Sequence, residues 1–248
     1  MKIIIKIIIS IFIISNSYAN DAYQIMKKVE TQSQKIQNQQ YSVFMEIVND
    51  NGKVRKRYFE ILKKISHNYS KSLIKFYKPA NIKNTALLNH NKLNVDKDPT
   101  QWLFLPAFRT LKQISSENSN DSFMGSDFTI LDMAGRAPEK DNFEIVKETN
   151  DNFIIKAIPK NQNDNYGMMV YLISKEYYLP LTIEFYDKEL SKIKVLNNYN
   201  IKKDHNMFFS SYSVMENKKQ SSKTTLTIED NNFDIKISEN DVGVMALK

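Results

Sequence analysis

From Tyr41 onward, apolar and polar residues alternate in short runs, the period-two pattern of strands that bury one face. Tyr41 to Val48 and Val54 to Ile65 flank Asn49-Asp50-Asn51-Gly52, a hairpin turn in which Asn51 and Gly52 tolerate positive φ. Ser72 to Tyr77 reads as a third strand, and Lys78-Pro79-Ala80-Asn81-Ile82 breaks the pattern before Thr85 to Leu88. Gln101 to Leu105 is a short apolar strand stopped by Pro106. Further strands are predicted at Phe143 to Glu148, Phe153 to Ile158, Met168 to Ser174 and Leu181 to Asp187. Lys192 to Asn200, Met207 to Met215 and Ser222 to Glu229 complete the set. Ahead of them, Ala22, Ile25, Met26, Val29 and Ile36 recur at helical spacing behind Asp21, a suitable N-cap. The pattern predicts one antiparallel sheet system, a sandwich or a barrel, with a helix packed on it. No linker or internal repeat divides residues 20–248, which read as a single domain.

The middle of the chain departs from this pattern. Arg109 to Asp121 is polar and reads as a mobile loop. After it, Ser126 or Asp127 is placed to cap a short helix through Met133, with Gly135 positioned to end it and Phe128, Ile130 and Leu131 on one face. Large apolar side chains crowd this region: Trp102, Phe104, Phe108, Phe123, Met124, Phe128, Leu131 and Met133. Core packing explains any one of them. As a cluster around Ser122-Phe123-Met124-Gly125-Ser126-Asp127-Phe128 they predict a lid or lining for a hydrophobic cavity, since methionine and aromatics make adaptable apolar surfaces. Arg109, directly after Phe108, reads as a lid-loop anchor, a contact for an anionic headgroup, or an ordinary surface arginine.

Composition narrows the setting. Lys2 precedes an apolar run from Ile3 to Ile14, and Ser17 and Ala19 are small residues spaced for cleavage after Ala19. Residues 1–19 are therefore expected to be a signal peptide, too short and too charged at Lys6 for a membrane span. The chain has no cysteine, hence no disulfide, no thiol chemistry and no cysteine-linked lipid anchor. A bacterial periplasm is the simplest location. The formal charge is +7, and +5 without Lys2 and Lys6. Lysine is spread along the chain rather than gathered, and export argues against a nucleic-acid partner.

Catalytic and cofactor signatures are missing. No Gly-x-Ser-x-Gly elbow, phosphate-binding loop or dinucleotide glycine pattern occurs among the five glycines. His67, His90 and His205 sit in turn-like surroundings without metal-ligand spacing. Paired carboxylates such as Asp127 and Asp132 are of the type that does acid–base work, but a cap and an exposed helix face account for them. No catalytic residue, cofactor or metal is expected.

Several segments resemble the LolA-like group of outer membrane lipoprotein-sorting proteins. They are Phe76-Tyr77-Lys78-Pro79, Ile82 to Leu88, Trp102 to Ala107, Ser122 to Phe128, Tyr177 to Pro180 and Glu184 to Asp187. Asn84 stands where that group often has glycine. The resemblance implies a mainly β (α+β) fold. In it, a half-open antiparallel β-barrel is covered by the N-terminal helix and a short lid helix around an apolar cavity. It further implies a periplasmic carrier of lipoprotein or lipid acyl chains, making transient membrane contact and served by an inner-membrane transporter of the resistance-nodulation-division type. An envelope adaptor that binds a transporter or sensor without carrying lipid is the alternative. A lipid-modifying enzyme is disfavoured by the missing catalytic groups.

Overall fold

The structure is a computed structural model that describes residues 21–115 and 118–247. The expected signal peptide lies outside the described residues. Residues 21–33 form helix α1, which buries Ala22, Ile25 and Met26 and half-buries Val29 as the spacing predicts, while Ile36 lies beyond the helix and packs against Met207, Phe209 and Phe233.

Thirteen antiparallel strands follow. The first six are β1 (Asn38–Val48), β2 (Val54–Ile65), β3 (Tyr69–Lys78), β4 (Ala86–Lys92), β5 (Thr100–Leu105) and β6 (Thr110–Gln113). The others are β7 (Asp141–Glu148), β8 (Asn152–Pro159), β9 (Met168–Ser174), β10 (Pro180–Tyr186), β11 (Lys192–Asp204), β12 (Met207–Asn217) and β13 (Ser222–Asn232). All belong to one open sheet in the order β6-β5-β4-β3-β2-β1-β13-β12-β11-β10-β9-β8-β7. Each half is a meander, because short turns can join only neighbouring antiparallel strands. The β1–β2 turn closes on Gly52, which takes φ +77, while Asn51 stays out of the left-handed region. Asn84 does adopt the left-handed φ of +65, a conformation asparagine tolerates better than most residues.

This order fixes the course of the middle segment. Strands β6 and β7 are consecutive in the chain but occupy opposite edges of the sheet. Residues 118–140 must therefore cross from one edge to the other. They do so over the inner face, where Phe123, Phe128 and Ile130 join a core built from both halves of the sheet. Met45, Phe59, Ile74 and Phe76 come from one half; Ile155, Met169, Ile173 and Phe185 come from the other. The polar loop expected over Arg109 to Asp121 begins instead with strand β6, which pairs with β5 from Trp102↔Gln113 to Leu105↔Thr110.

The outer face of β2–β5 is covered too. The chain after β13 folds back so that Ile237, Val242 and Leu247 bury against Leu73, Ala86 and Leu88, with Trp102 and Phe104 packed alongside. His90 lies within β4 rather than in a turn; its Nε2 is 3.1 Å from the Val242 carbonyl and its ring meets Trp102 edge-on.

Candidate functional site

The first part of the crossover is a tight hairpin-like loop, not the start of a helix. Ser122 and Thr129 form an antiparallel bridge, and Phe123 N–H donates to the Phe128 carbonyl at 2.8 Å. Met124 and Gly125 turn the chain with φ of +53 and +73. A side chain at Gly125 would be strained there and would also meet the Arg55 guanidinium at 3.0 Å. The helix expected from Ser126 or Asp127 does not form, because Phe128 and Thr129 pair back across the loop with Phe123 and Ser122 instead of continuing into a helical turn. Asp127 does not cap that helix. Its carboxylate accepts the Ser222 hydroxyl and, at 2.6 Å, the Thr224 hydroxyl, both from β13; its own N–H donates to Thr224 Oγ1 at 2.9 Å.

The same loop is held from the strand side. Arg57 Nη2 donates to the Met124 carbonyl at 2.7 Å, and Arg55 Nη2 to the Gly125 carbonyl at 2.8 Å. Phe123 drops between Phe59 and Phe76, with ring centroids 6.4 and 5.6 Å away, and is 1% exposed. Phe123 is a plug in the core.

Beyond Ile130 the crossover changes character. Thr129 and Asp132 cap each other, N–H to side chain in both directions at 2.8 and 3.0 Å, around a single 3-10 turn, Asp132–Ala134. Gly135, at φ +80, ends that turn. The arm is fixed at its rim by polar clamps. Asn91 Nδ2 donates to the Ala134 carbonyl at 2.6 Å, and Tyr166 OH to Asp132 at 3.2 Å. Arg136 spans Asp141 at 2.5 Å and Asp164 at 2.9 Å. These carboxylates hold the Arg136 guanidinium charged in spite of its burial, while burial raises the Asp141 carboxyl.

Space lies on both sides of this arm. A cavity of about 480 Å³ is bordered by Met133 to Ala137, by Tyr41, Ile61 and Ile74, and by Leu179, Phe208 and Phe209. A smaller apolar space of about 150 Å³ lies between Phe128, Leu131 and the strand residues Met169, Tyr171, Phe185 and Met215. The two share the wall formed by Asp132, Gly135 and Arg136. The larger volume falls within the range of small-molecule sites.

The eight apolar residues expected to form a lid or cavity lining are thus sorted into different places. Phe128, Leu131 and Met133 border the inner spaces. Phe123 fills the core, and half-buried Met124 packs against it. Trp102 and Phe104 lie on the outer face under the C-terminal tail, because they pair with Leu88 and Ala86 while Leu103 pairs with inward-facing Leu87. Phe108, 76% exposed, and exposed Arg109 form a turn at the edge of the sheet, away from both spaces.

One group was not anticipated from sequence. Gln39, Lys63, Ser72, Asn89 and Gln101 are successive cross-strand partners on β1 to β5, a polar rung across the inner face. Gln101 Nε2 donates to Asn89 Oδ1 at 2.7 Å, and Asn89 Nδ2 to Ser72 Oγ at 3.0 Å. The adjoining rung is Tyr41, Ile61, Ile74, Leu87 and Leu103. Among the described residues no group of His, Asp or Glu gathers in a way that holds a metal ion, and no helix is long and apolar enough to cross a membrane.

A family model described as an uncharacterized protein family matches residues 68–248. No curated protein matches the chain. Among solved structures, an outer membrane lipoprotein-sorting protein domain from Vibrio parahaemolyticus is 27% identical, covers 92% of this chain and 99% of its own, and superposes with a TM-score of 0.86. A DUF1329 family protein from Desulfovibrio piger is 23% identical over 93% of this chain and 99% of its own, with a TM-score of 0.87. A LolA superfamily protein from Nitrosomonas europaea shares the fold at 16% identity over 91% and 98%, with a TM-score of 0.70. The chain belongs to the family whose model matches residues 68–248, and its open sheet with one helix is the LolA-like fold of these structures.

Proposed function

We propose that the protein is a periplasmic carrier that holds the acyl chains of a lipoprotein or lipid in the inner cavity and moves them between membranes. The observation that carries this reading is the cavity of about 480 Å³ on the inner face, to which both halves of the sheet and the crossover arm bring apolar residues beside a polar wall. The sorting role named for the Vibrio parahaemolyticus relative supports it.

The energetics explain why such a cavity is needed. Each methylene removed from a hydrophobic setting costs about 0.8 kcal/mol, so a sixteen-carbon chain loses roughly 12 kcal/mol on entering water. Passage through an aqueous compartment requires a protein surface that replaces most of that burial. Met133, Tyr41, Ile61, Phe208 and Phe209 provide such a surface here, and Leu131 and Phe128 line the space behind the arm. Loading and delivery involve transient membrane contact, with an inner-membrane exporter as the partner.

Mass spectrometry of lipids extracted from protein purified from periplasm tests the reading, together with transfer of labelled acyl lipid between liposomes. Co-purifying acyl lipid and protein-dependent transfer are expected. A cavity free of acyl ligand, without transfer, overturns it; stoichiometric crosslinking to one membrane protein regardless of cavity filling would then identify an adaptor.

A further inference from the structure

We propose that the cavity selects acyl amphiphiles with an anionic headgroup, and that Lys63 is the residue that holds the head. This rests on the acyl-carrier reading above and specifies its ligand class. Lys63 lines the cavity from β2, within the polar rung, with Gln39 on one side and Ser72 on the other. Among the described residues no carboxylate lies within ion-pair distance of its amine. It donates to the Ser33 carbonyl at a weak 3.4 Å. Glu30 borders the same cavity, but its carboxylate is engaged by Lys27, which also holds Glu139 at 2.9 Å.

A second observation points the same way. Asn91 borders the cavity one rung beyond Lys63, where Ile65, Ser70 and Asn91 are cross-strand partners. Its Nδ2 is committed to Ala134, while its Oδ1 is buried without a partner. A buried acceptor left unpaired is costly unless a ligand or water donates to it. The wall is therefore ordered by polarity: amine, hydroxyls and an open acceptor on the Lys63 side, then Tyr41, Ile61 and Ile74 on the next rung. An amphiphile lying across these rungs places anionic oxygens at Lys63, a hydroxyl or water at Asn91, and its chain along the apolar rung. Burial pushes the Lys63 amine down to about 8, against the pull of Glu30, and an anionic ligand relieves that cost.

Binding to the full chain is measured by displacement of a fluorescent acyl probe, with palmitate and palmitoyl-lysophosphatidate as anionic ligands. Methyl palmitate and palmitoyl-lysophosphatidylcholine are the matched ligands without net charge. Wild type is expected to prefer the anionic ligands about tenfold or more, the discrimination a charged hydrogen bond gives. Comparing carboxylate with phosphate tells which head the site takes. Lys63→Gln is expected to abolish the preference while retaining the uncharged ligands, and Lys63→Arg to keep it. Equal affinity of wild type for both classes, or an unchanged preference in Lys63→Gln, overturns the headgroup assignment alone. Failure of every acyl ligand to bind overturns the carrier reading with it. The wild-type comparison stands even if a variant does not fold.

Discussion

Residues 121–130 and 131–137 are neighbours in one crossover, yet the fold uses them oppositely. The first stretch places its large aromatic, Phe123, in the core and hands its carbonyls to Arg55 and Arg57. The second is pinned at its rim by Asn91, Tyr166, Asp141 and Asp164, and leaves Leu131 and Met133 beside open space. Apolar burial roots the first stretch in the core; polar clamps hold the second as an arm without filling the space beside it. The most conspicuous aromatic of the first stretch is thus a core residue, while Phe128 at its end and the plainer stretch after it border the inner spaces.

Phe123→Ala is the severest test of that contrast. A fully buried phenylalanine cut to alanine costs about 3–5 kcal/mol, the sum of lost transfer energy and the cavity left behind. Chemical denaturation should show a loss of that size, with Phe59 and Phe76 losing their packed neighbour. Acyl binding by the fraction still folded should change little. A variant of nearly native stability that no longer bound acyl ligand would reverse the assignment and make the Phe123 loop the lid.

Met133→Ala probes the other stretch. Met133 is half-buried against the core and borders the larger cavity. The expected stability cost is about 1 kcal/mol, below the ~2–5 kcal/mol of a fully buried methionine. Affinity for a straight acyl chain should fall severalfold as apolar contact is lost, and bulkier chains should gain relative to it. Probe displacement with palmitate and a branched analogue measures both. Unchanged binding with a stability loss matching Phe123→Ala would erase the distinction between the two halves.

Much of the fold was legible in sequence because period-two alternation is local. β2 and β9 begin and end where the pattern places them, and α1 buries Ala22, Ile25 and Met26 of the predicted stripe. Strand β6 was missed because Thr110–Gln113 has only Leu111 as an apolar residue and lies at the sheet edge. The faces of β5 were not legible either. In Gln101 to Leu105 both faces carry large residues, since the inner one meets the core and the outer one the C-terminal tail. No local signal tells that Trp102 and Phe104 point outward. The loop at Phe123 looked helical because Ser126 and Asp127 are good capping residues, but Thr224 and Ser222, almost a hundred residues away, claim the Asp127 carboxylate. Lys63 and its polar rung needed the register of five strands before they became a group.

Lys63→Met carries the smallest expected effect and tests whether the cavity side is a place where stability is given up. The unfolded chain keeps its lysine protonated up to about 10.5, the folded one only up to about 8. Between those values the unfolded state binds more protons, so the wild type gains stability as pH rises through the window. Below about 8 that gain is absent and the buried charge is a standing cost. Lys63→Met removes it, and should be the more stable protein at pH 7 by under about 1 kcal/mol, since the side chain is only partly buried and solvent screens it. Tyrosines and other lysines titrate in the same range, so the difference between the two proteins is the quantity to follow. The gap should close as pH rises from 8 to 10.5, and should also close at pH 7 when an anionic acyl ligand saturates the wild type. A gap independent of both pH and ligand would mean that Lys63 is hydrated like a surface lysine, and that the open half of the crossover stores no more cost than the plugged half.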